Sequence, residues 1–114
     1  MHPTIIIPGS TFKNIVYAWY REGECLYVGS SSRGLARLLN HETVRRIRDT
    51  DEIKIWAMLN TGSMAQKELE LILELKPKFN QKIPTEEQIK IGEKWQREVE
   101  RNQFQEFMKN LDID

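Results

Sequence analysis

The fold is decided by residues 14–41, which read NIVYAWYREGECLYVGSSSRGLARLLNH. Residues 14–21 are mostly β-branched and aromatic, and this composition predicts a β-strand. A Glu-Gly pair supplies a tight turn, and residues 24–28 are the expected hairpin partner, ended by Gly29 and the serines after it. Alternation along the hairpin predicts one face with Tyr17, Trp19, Cys25 and Tyr27 and another with Val16, Ala18, Leu26 and Val28.

A helix is predicted to follow the hairpin. Residues 33–41 place three leucines at helical spacing. On the opposite side Arg33, Arg37 and His41 follow one another at i, i+4 and form a cationic edge. The next apolar residues fall out of phase with the leucines, so we expect a break near residues 42–43 and a second short helix.

Further strands and helices complete the predicted fold. Strands are expected over residues 53–59 and, at the N-terminus, over residues 4–7. Capping boxes that begin at Ser63 and Thr85 predict helices that end near residues 76 and 111. The predicted class is α/β in the α+β sense, with a small three-stranded antiparallel sheet, flanking helices and a long C-terminal helix.

One domain is expected for a chain of 114 residues, with a core of residues 1–82 and a helical extension of residues 83–114. The apolar residues of the extension form two patches that are out of phase: Ile91, Trp95 and Val99, then Phe104, Phe107, Met108 and Leu111. The first patch is expected to pack on the core. The second either packs on the core after a bend or contacts another chain, such as a second copy in a homodimer or a partner protein.

Composition restricts the class of protein. A hydrophobic fraction of 39% and a charged fraction of 30% are typical of globular domains, and no apolar run approaches the roughly 18 residues of a membrane span. The single cysteine excludes an internal disulfide and fits a reducing, cytoplasmic location. Lys and Arg outnumber Asp and Glu by 12 to 9 through Lys82 and are outnumbered by 8 to 5 after it, so the core is mildly basic and the extension acidic.

Glu68 is the residue whose position calls for an explanation on physical grounds. The inward stripe of its helix is expected to be Ala65, Leu69, Ile72 and Leu75, and Glu68 lies beside this stripe at the margin of the core. Burying an unpaired carboxylate costs several kcal/mol, so a cation should face it. The residues alone leave open whether that cation is a metal ion or an arginine in a structural salt bridge.

The hairpin and the cationic edge resemble the core of the GIY-YIG nucleases. Tyr17 stands at the tyrosine of the first signature triplet, although the glycine of that triplet is absent. Tyr27 and Gly29 stand at the first and last positions of the second triplet. Arg37 follows Gly29 by eight residues and His41 follows Arg37 by four, as in the restriction and homing endonucleases of the family.

The later part of the chain resembles the last motif of the same family. There, a metal-binding glutamate is followed twelve residues later by an asparagine just past a proline, and Glu68, Pro77 and Asn80 stand at these positions. The resemblance therefore spans residues 14–80, well over half of the chain.

The resemblance implies a metal-dependent endonuclease that hydrolyses DNA phosphodiester bonds by attack of a tyrosine-activated water. In this interpretation Tyr17 is the general base with His41 as proton acceptor. Arg37 donates two hydrogen bonds to the phosphate oxygens through its guanidinium. One divalent ion, Mg²⁺ or alternatively Mn²⁺, polarises the phosphate. The implied catalytic residues are Tyr17, Tyr27, Arg37, His41, Glu68 (the metal ligand) and Asn80 (a brace for the glutamate and the loop after Pro77), with Ser30, Arg33, Arg45 and Lys78 as substrate-binding residues.

Two functions remain open at this stage. The acidic extension is no separate DNA-binding domain, so structure-selective or weakly sequence-selective cutting of double- or single-stranded DNA is expected. The rival is a catalytically weak nucleic-acid-binding subunit of the same fold that acts with a partner. Without the resemblance, Tyr17 and Tyr27 would be interpreted as cross-strand packing.

Overall fold

The computed structural model describes residues 1–80 and the helix of residues 92–111. After a 3₁₀ turn at Gly9–Phe12, the elements in chain order are β1 (Ile15–Arg21), β2 (Glu24–Ser31), α1 (Leu35–Leu38), α2 (His41–Arg46), β3 (Asp51–Ala57), α3 (Thr61–Leu75) and α4 (Gly92–Leu111). None of the helices in this described part is both long and apolar enough to cross a membrane.

The three strands form one antiparallel sheet in the order β2-β1-β3, which confirms the predicted sheet. Residues 15–19 of the central strand β1 are all buried, because helices cover both faces of the sheet. Helix α3 packs on the face that carries Val16 and Val28, and α4 packs on the face that carries Tyr17 and Tyr27. These are called the α3 face and the α4 face below.

The faces predicted for Cys25 and Leu26 are wrong. The register of β1 with β2 shifts after Trp19, which pairs with Tyr27, while Tyr20 pairs with Cys25. Leu26 is therefore the extra residue of a β-bulge, and such a residue interrupts strict alternation. As a result Leu26 joins Tyr27 on the α4 face, whereas Cys25 lies on the α3 face.

The strand boundaries differ from those predicted. Gly29 and the two serines after it continue β2 instead of ending it, because Gly29 pairs with Tyr17 across the hairpin. Strand β3 lies two residues earlier than the predicted range 53–59. Residues 4–7 form no strand, and their isoleucines are exposed. Prolines stand on both sides of this segment, and a proline cannot donate to a strand ladder.

The predicted helix of residues 33–41 is confined to Leu35–Leu38. The expected second short helix is present as His41–Arg46, so the break between the two lies at residues 39–40 and not at 42–43. Asn40 is the cause of the break. Its amide donates to the carbonyl of Arg37 at 2.7 Å, and its Oδ1 accepts from the backbone N–H of Thr43 at 2.9 Å. The same side chain thus closes α1 and caps α2.

Helix α3 begins earlier than its predicted cap and is rotated relative to its predicted stripe. Its N-cap is Asn60, whose Oδ1 accepts from the backbone N–H of Ser63 at 2.8 Å. The buried residues are Met64, Ala65, Glu68, Leu71 and Ile72. The helix packs against two strands and so buries a wider face than the four predicted residues cover. Glu68 consequently lies in the middle of the buried face and not at its margin.

Helix α4 resolves the alternative for the second apolar patch. Phe104, Phe107, Met108 and Leu111 are buried on the α4 face of the sheet. The patch is therefore part of the core and is not exposed for a contact with another chain. The capping box at Thr85 and the side chains of Ile91, Trp95 and Val99 lie outside the described residues.

Asp51 fixes the start of β3 to β1. Its carboxylate accepts two hydrogen bonds from the Arg21 guanidinium, at 2.8 and 3.0 Å, and one from the Trp19 indole at 2.9 Å. The backbone N–H of Arg48 donates a further bond at 3.0 Å. Burial acts to raise the pKa of Asp51, but these hydrogen bonds outweigh it and hold the pKa below its ordinary value.

Candidate functional site

A groove of about 940 Å³ lies between the α1–α2 segment and helix α4. The residues that line it are mostly polar or cationic: Ser31, Ser32, Arg33, Arg37, Asn40, His41, Glu42, Thr43 and Arg46 on one side, and Arg101, Phe104, Gln105, Met108 and Lys109 from α4. The predicted cationic edge of Arg33, Arg37 and His41 is thus brought together. It is brought together by a turn between two helices and not by one continuous helix.

Tyr17 and Tyr27 lie side by side on the α4 face, with ring centroids 6.1 Å apart. Gly29, the cross-strand partner of Tyr17, makes room for both rings. A Cβ atom at Gly29 would lie 2.7 Å from the Tyr17 hydroxyl oxygen and 2.5 Å from Cε2 of Tyr27. The glycine of the second signature triplet therefore has a packing role here, because a side chain would displace both phenol rings.

Phe104 covers the two tyrosines. Its ring centroid lies 6.3 Å from that of Tyr17 and 6.1 Å from that of Tyr27, in edge-to-face arrangements. The guanidinium carbon of Arg37 lies 4.6 Å from the centroid of the same ring. The two tyrosines are each only 1% exposed. Tyr17, Tyr27 and Arg37 therefore converge on Phe104, which also lines the groove and separates it from the tyrosines.

Glu68 lies on the α3 face, opposite the tyrosines. Its carboxylate is 2% exposed and its Oε2 accepts a hydrogen bond of 2.8 Å from the Ser30 hydroxyl. Ser30 pairs with Val16 and so points to the α3 face, and it is not among the groove residues. The predicted substrate contact of Ser30 is therefore replaced in this structure by a contact with Glu68. The predicted site is divided between the two faces of the sheet.

Asn80 braces strand β2 and not the glutamate. Its Oδ1 accepts from the backbone N–H of Val28 and its Nδ2 donates to the carbonyl of the same residue, both at 2.9 Å. The backbone N–H groups of Lys78 and Phe79 donate to β2 carbonyls as well, so this segment covers the free edge of the strand. The predicted brace of the glutamate is therefore wrong, whereas the predicted brace of the loop after Pro77 agrees with these bonds, which join that loop to the edge of β2.

Arg45 and Lys78 do not join Arg33 and Arg37 in the groove. Arg45 is exposed and pairs with Glu42 at 3.1 Å, and it does not line the groove. Lys78 lies beside Cys25, at the opposite end of β2 from Ser30. At about 3.3 Å per residue these ends are roughly 16 Å apart.

Three groove cations were missed by the sequence reasoning: Arg46, Arg101 and Lys109. Arg101 and Lys109 belong to a segment with a net negative charge, and that net charge concealed them. Their spacing is a usable signal, because Arg101, Gln105 and Lys109 follow at i, i+4 and so share one edge of α4.

Cys25 is part of the core. It is buried on the α3 face, and burial raises the pKa of its thiol. A thiol of raised pKa is mainly protonated at neutral pH and is a poor nucleophile.

The donor set at Glu68 fits a hard divalent cation in its chemistry. It consists of a carboxylate and a hydroxyl oxygen, and Mg²⁺ is commonly held by one or two carboxylates while the remaining ligands are water and substrate phosphate. Among the residues whose side chains the structure describes, 1–80 and 101–111, no group of three or more His, Cys, Asp or Glu side chains is placed to hold a metal. A cation at Glu68 would therefore depend on water and substrate for its other ligands.

Comparison of the chain with models of protein families, with curated proteins and with solved structures gives no match.

Proposed function

We propose that this chain is a nuclease of the GIY-YIG type that hydrolyses phosphodiester bonds in DNA. The observation that carries the proposal is the convergence of Tyr17, Tyr27 and Arg37 on the ring of Phe104, which lines a cationic groove. The close fit of both phenol rings over Gly29 supports the proposal. The same packing contact accounts for a glycine and for two tyrosines at the signature positions.

The groove side chains would bind and orient the scissile phosphate. Arg37 presents a planar fork of donors that matches two non-bridging oxygens, and it stabilises the charge that develops on them as water attacks. Tyr17 would pass its phenolic proton to His41 at the groove and, as the phenolate, accept the proton of the attacking water. Tyr27 would orient the water by a hydrogen bond. A divalent ion held by Glu68 would supply Lewis-acid polarisation of the phosphate and stabilise the leaving oxygen. Because Glu68 lies on the α3 face, opposite the tyrosines, this chemistry would reach a phosphate in the groove only if the two parts of the site came together on substrate binding.

Cleavage by this route requires a change at Phe104. Water and phosphate cannot reach Tyr17 while the Phe104 ring lies over it, since the tyrosine is 1% exposed. The described arrangement is therefore a closed form of the proposed site. Rotation of the Phe104 side chain or a shift of α4 would join the groove to the tyrosines.

A second function is favoured by the division of the site between the two sheet faces. With Glu68 bound to Ser30 on the α3 face and the tyrosines covered on the other, the groove alone could bind nucleic acid for a partner that does the chemistry. This alternative predicts binding without turnover.

A cleavage assay decides between the two. Supercoiled plasmid and labelled single-stranded DNA would be incubated with the protein in Mg²⁺, in Mn²⁺ and in EDTA. Metal-dependent nicking or strand cutting that is lost in Arg37→Ala supports the nuclease. Binding to the same DNA with no cutting in either metal supports the binding subunit and overturns the proposal.

A further inference from the structure

Helix α4 supplies one wall of the groove, and that wall is cationic although the extension as a whole is acidic. Arg101 and Lys109 line the groove, whereas the nearby Glu106 is exposed and does not. Eight residues of helix at about 1.5 Å each place the two cations roughly 12 Å apart along α4. Two charged side chains at this separation can each contact a phosphate of the same strand.

Among the side chains that the structure describes, the cations of the groove are largely unneutralised by protein. Five Arg or Lys side chains from this part of the chain line the groove together with His41, against a single carboxylate, Glu42. That carboxylate is engaged with Arg46 at 2.8 Å and with Arg45. In the described residues no ion pair involves Arg33, Arg37, Arg101 or Lys109. The groove therefore carries an excess of positive charge that a polyanion would neutralise.

We infer that the groove binds the backbone of single-stranded nucleic acid, with Arg101 and Lys109 of α4 as phosphate contacts opposite Arg33 and Arg37. A small phosphate ligand would need a few convergent groups in an enclosed pocket, but these cations lie along two facing walls, and Arg33, Arg101 and Lys109 are exposed. Two facing walls can enclose one strand from both sides. A duplex would present its phosphates to only one wall at a time.

The inference rests on the proposed function, since it names the form of the polymer that reaches the site. It also makes the C-terminal helix part of the substrate-binding surface. The helix thus has a role besides completing the core.

Fluorescence anisotropy in EDTA would test the inference without any cleavage. The probe is a labelled oligothymidine of about 15 nucleotides, near the upper size of a one-domain site, titrated over a roughly tenfold range of salt concentration. The variant is Arg101→Gln with Lys109→Gln, both at exposed positions. Loss of two phosphate contacts should make the slope of log K against log salt about 1.4 less steep and weaken binding roughly 25-fold at 0.1 M salt.

The matched control is Lys54→Gln with Lys67→Gln. It removes the same charge from side chains that lie over Tyr20 and Trp56, away from the groove. Its salt slope should equal that of wild type. If both double variants lose affinity and slope equally, binding follows net charge alone and the groove assignment is overturned.

A labelled duplex of the same length tests the form of the polymer. Duplex binding that is as tight as single-strand binding, and equally sensitive to Arg101→Gln with Lys109→Gln, would overturn the single-strand assignment. Because no metal is present, the outcome is independent of turnover. Normal single-strand binding with no cleavage contradicts the proposed function only, and cleavage that is indifferent to the α4 cations contradicts this inference only.

Discussion

Replacing Phe104 by alanine would open the path from the groove to Tyr17. Phe104 is 7% exposed and packs against both tyrosines and the Arg37 guanidinium. Truncation of a buried phenylalanine costs about 3–5 kcal/mol, and the cation–π contact adds about 0.5–1 kcal/mol at a site of this kind. We therefore expect a loss of about 4 kcal/mol, which a small domain with about 5–15 kcal/mol of stability can survive at low temperature.

The matched control is Phe107→Ala. Phe107 is 0% exposed and stacks on Tyr27 at 4.5 Å, but it does not line the groove. The control therefore has a similar cost in stability, about 3–5 kcal/mol, and leaves the groove wall intact. Urea unfolding would give the stability of both variants and the temperature at which each is folded.

Single-turnover cleavage, corrected for the folded fraction, is the deciding measurement. Phe104→Ala should cut about tenfold faster than wild type or more, which corresponds to removing about 1.4 kcal/mol of opening cost from the barrier. Phe107→Ala should show no such gain. A folded Phe104→Ala protein that binds DNA normally and cuts at the wild-type rate would refute the idea that Phe104 blocks the site.

Glu68→Gln should abolish cleavage and leave the urea midpoint of unfolding unchanged or slightly raised, because the amide keeps an acceptor but removes a buried charge. The control Glu70→Gln, at an exposed position, should cut normally. The reverse pattern would place the site elsewhere on α3. Gly29→Ala should lower the thermal midpoint, because its new Cβ would lie 2.5 Å from the Tyr27 ring and 2.7 Å from the Tyr17 hydroxyl. Overpacking of this kind costs about 1–3 kcal/mol. In the control Gly9→Ala the new Cβ meets no atom within 4 Å, and the midpoint should match that of wild type. Asp51→Asn should cost about 3 kcal/mol in urea unfolding at pH 7, because it breaks one partner of a buried ion pair. Because the pKa of Asp51 is lowered in the folded protein, its contribution to the free energy of unfolding is complete above the pKa of the unfolded chain, about 3.9, and decreases as the pH falls below that value. A stability difference between wild type and Asp51→Asn that is as large at pH 2 as at pH 7 would contradict the ion pair as its source.

The three strands could be predicted because hydrophobic alternation and turn residues are local signals. The hairpin and β3 were expected, and the predicted three-stranded antiparallel sheet is confirmed. The face of Cys25 could not be predicted, since the bulge at Leu26 depends on how the two strands meet and not on either strand alone. The extension of β2 past Gly29 has a similar origin, because the glycine is needed under the rings and does not end the strand.

Sequence spacing could predict part of the groove lining, but not how the candidate site is assembled. Sequence spacing placed Arg33, Arg37 and His41 together correctly, although through a different local structure than expected. It could not show that Phe104 lies over the tyrosines, because this contact joins residues far apart in the chain. Nor could it show that Glu68 and the tyrosines lie on opposite faces of the sheet, which follows from how α3 packs.

The central claim is that Tyr17 activates the attacking water. Tyr17→Phe tests it most directly, because the change deletes one oxygen from a ring that is 1% exposed and leaves its packing in place. Single-turnover cleavage in Mg²⁺ and DNA affinity in Ca²⁺ would be measured on the same preparations of wild type and variant. The proposal predicts a rate lower by about 10² or more, within the range of general-base catalysis, with unchanged affinity. Cleavage by Tyr17→Phe at the wild-type rate would contradict it.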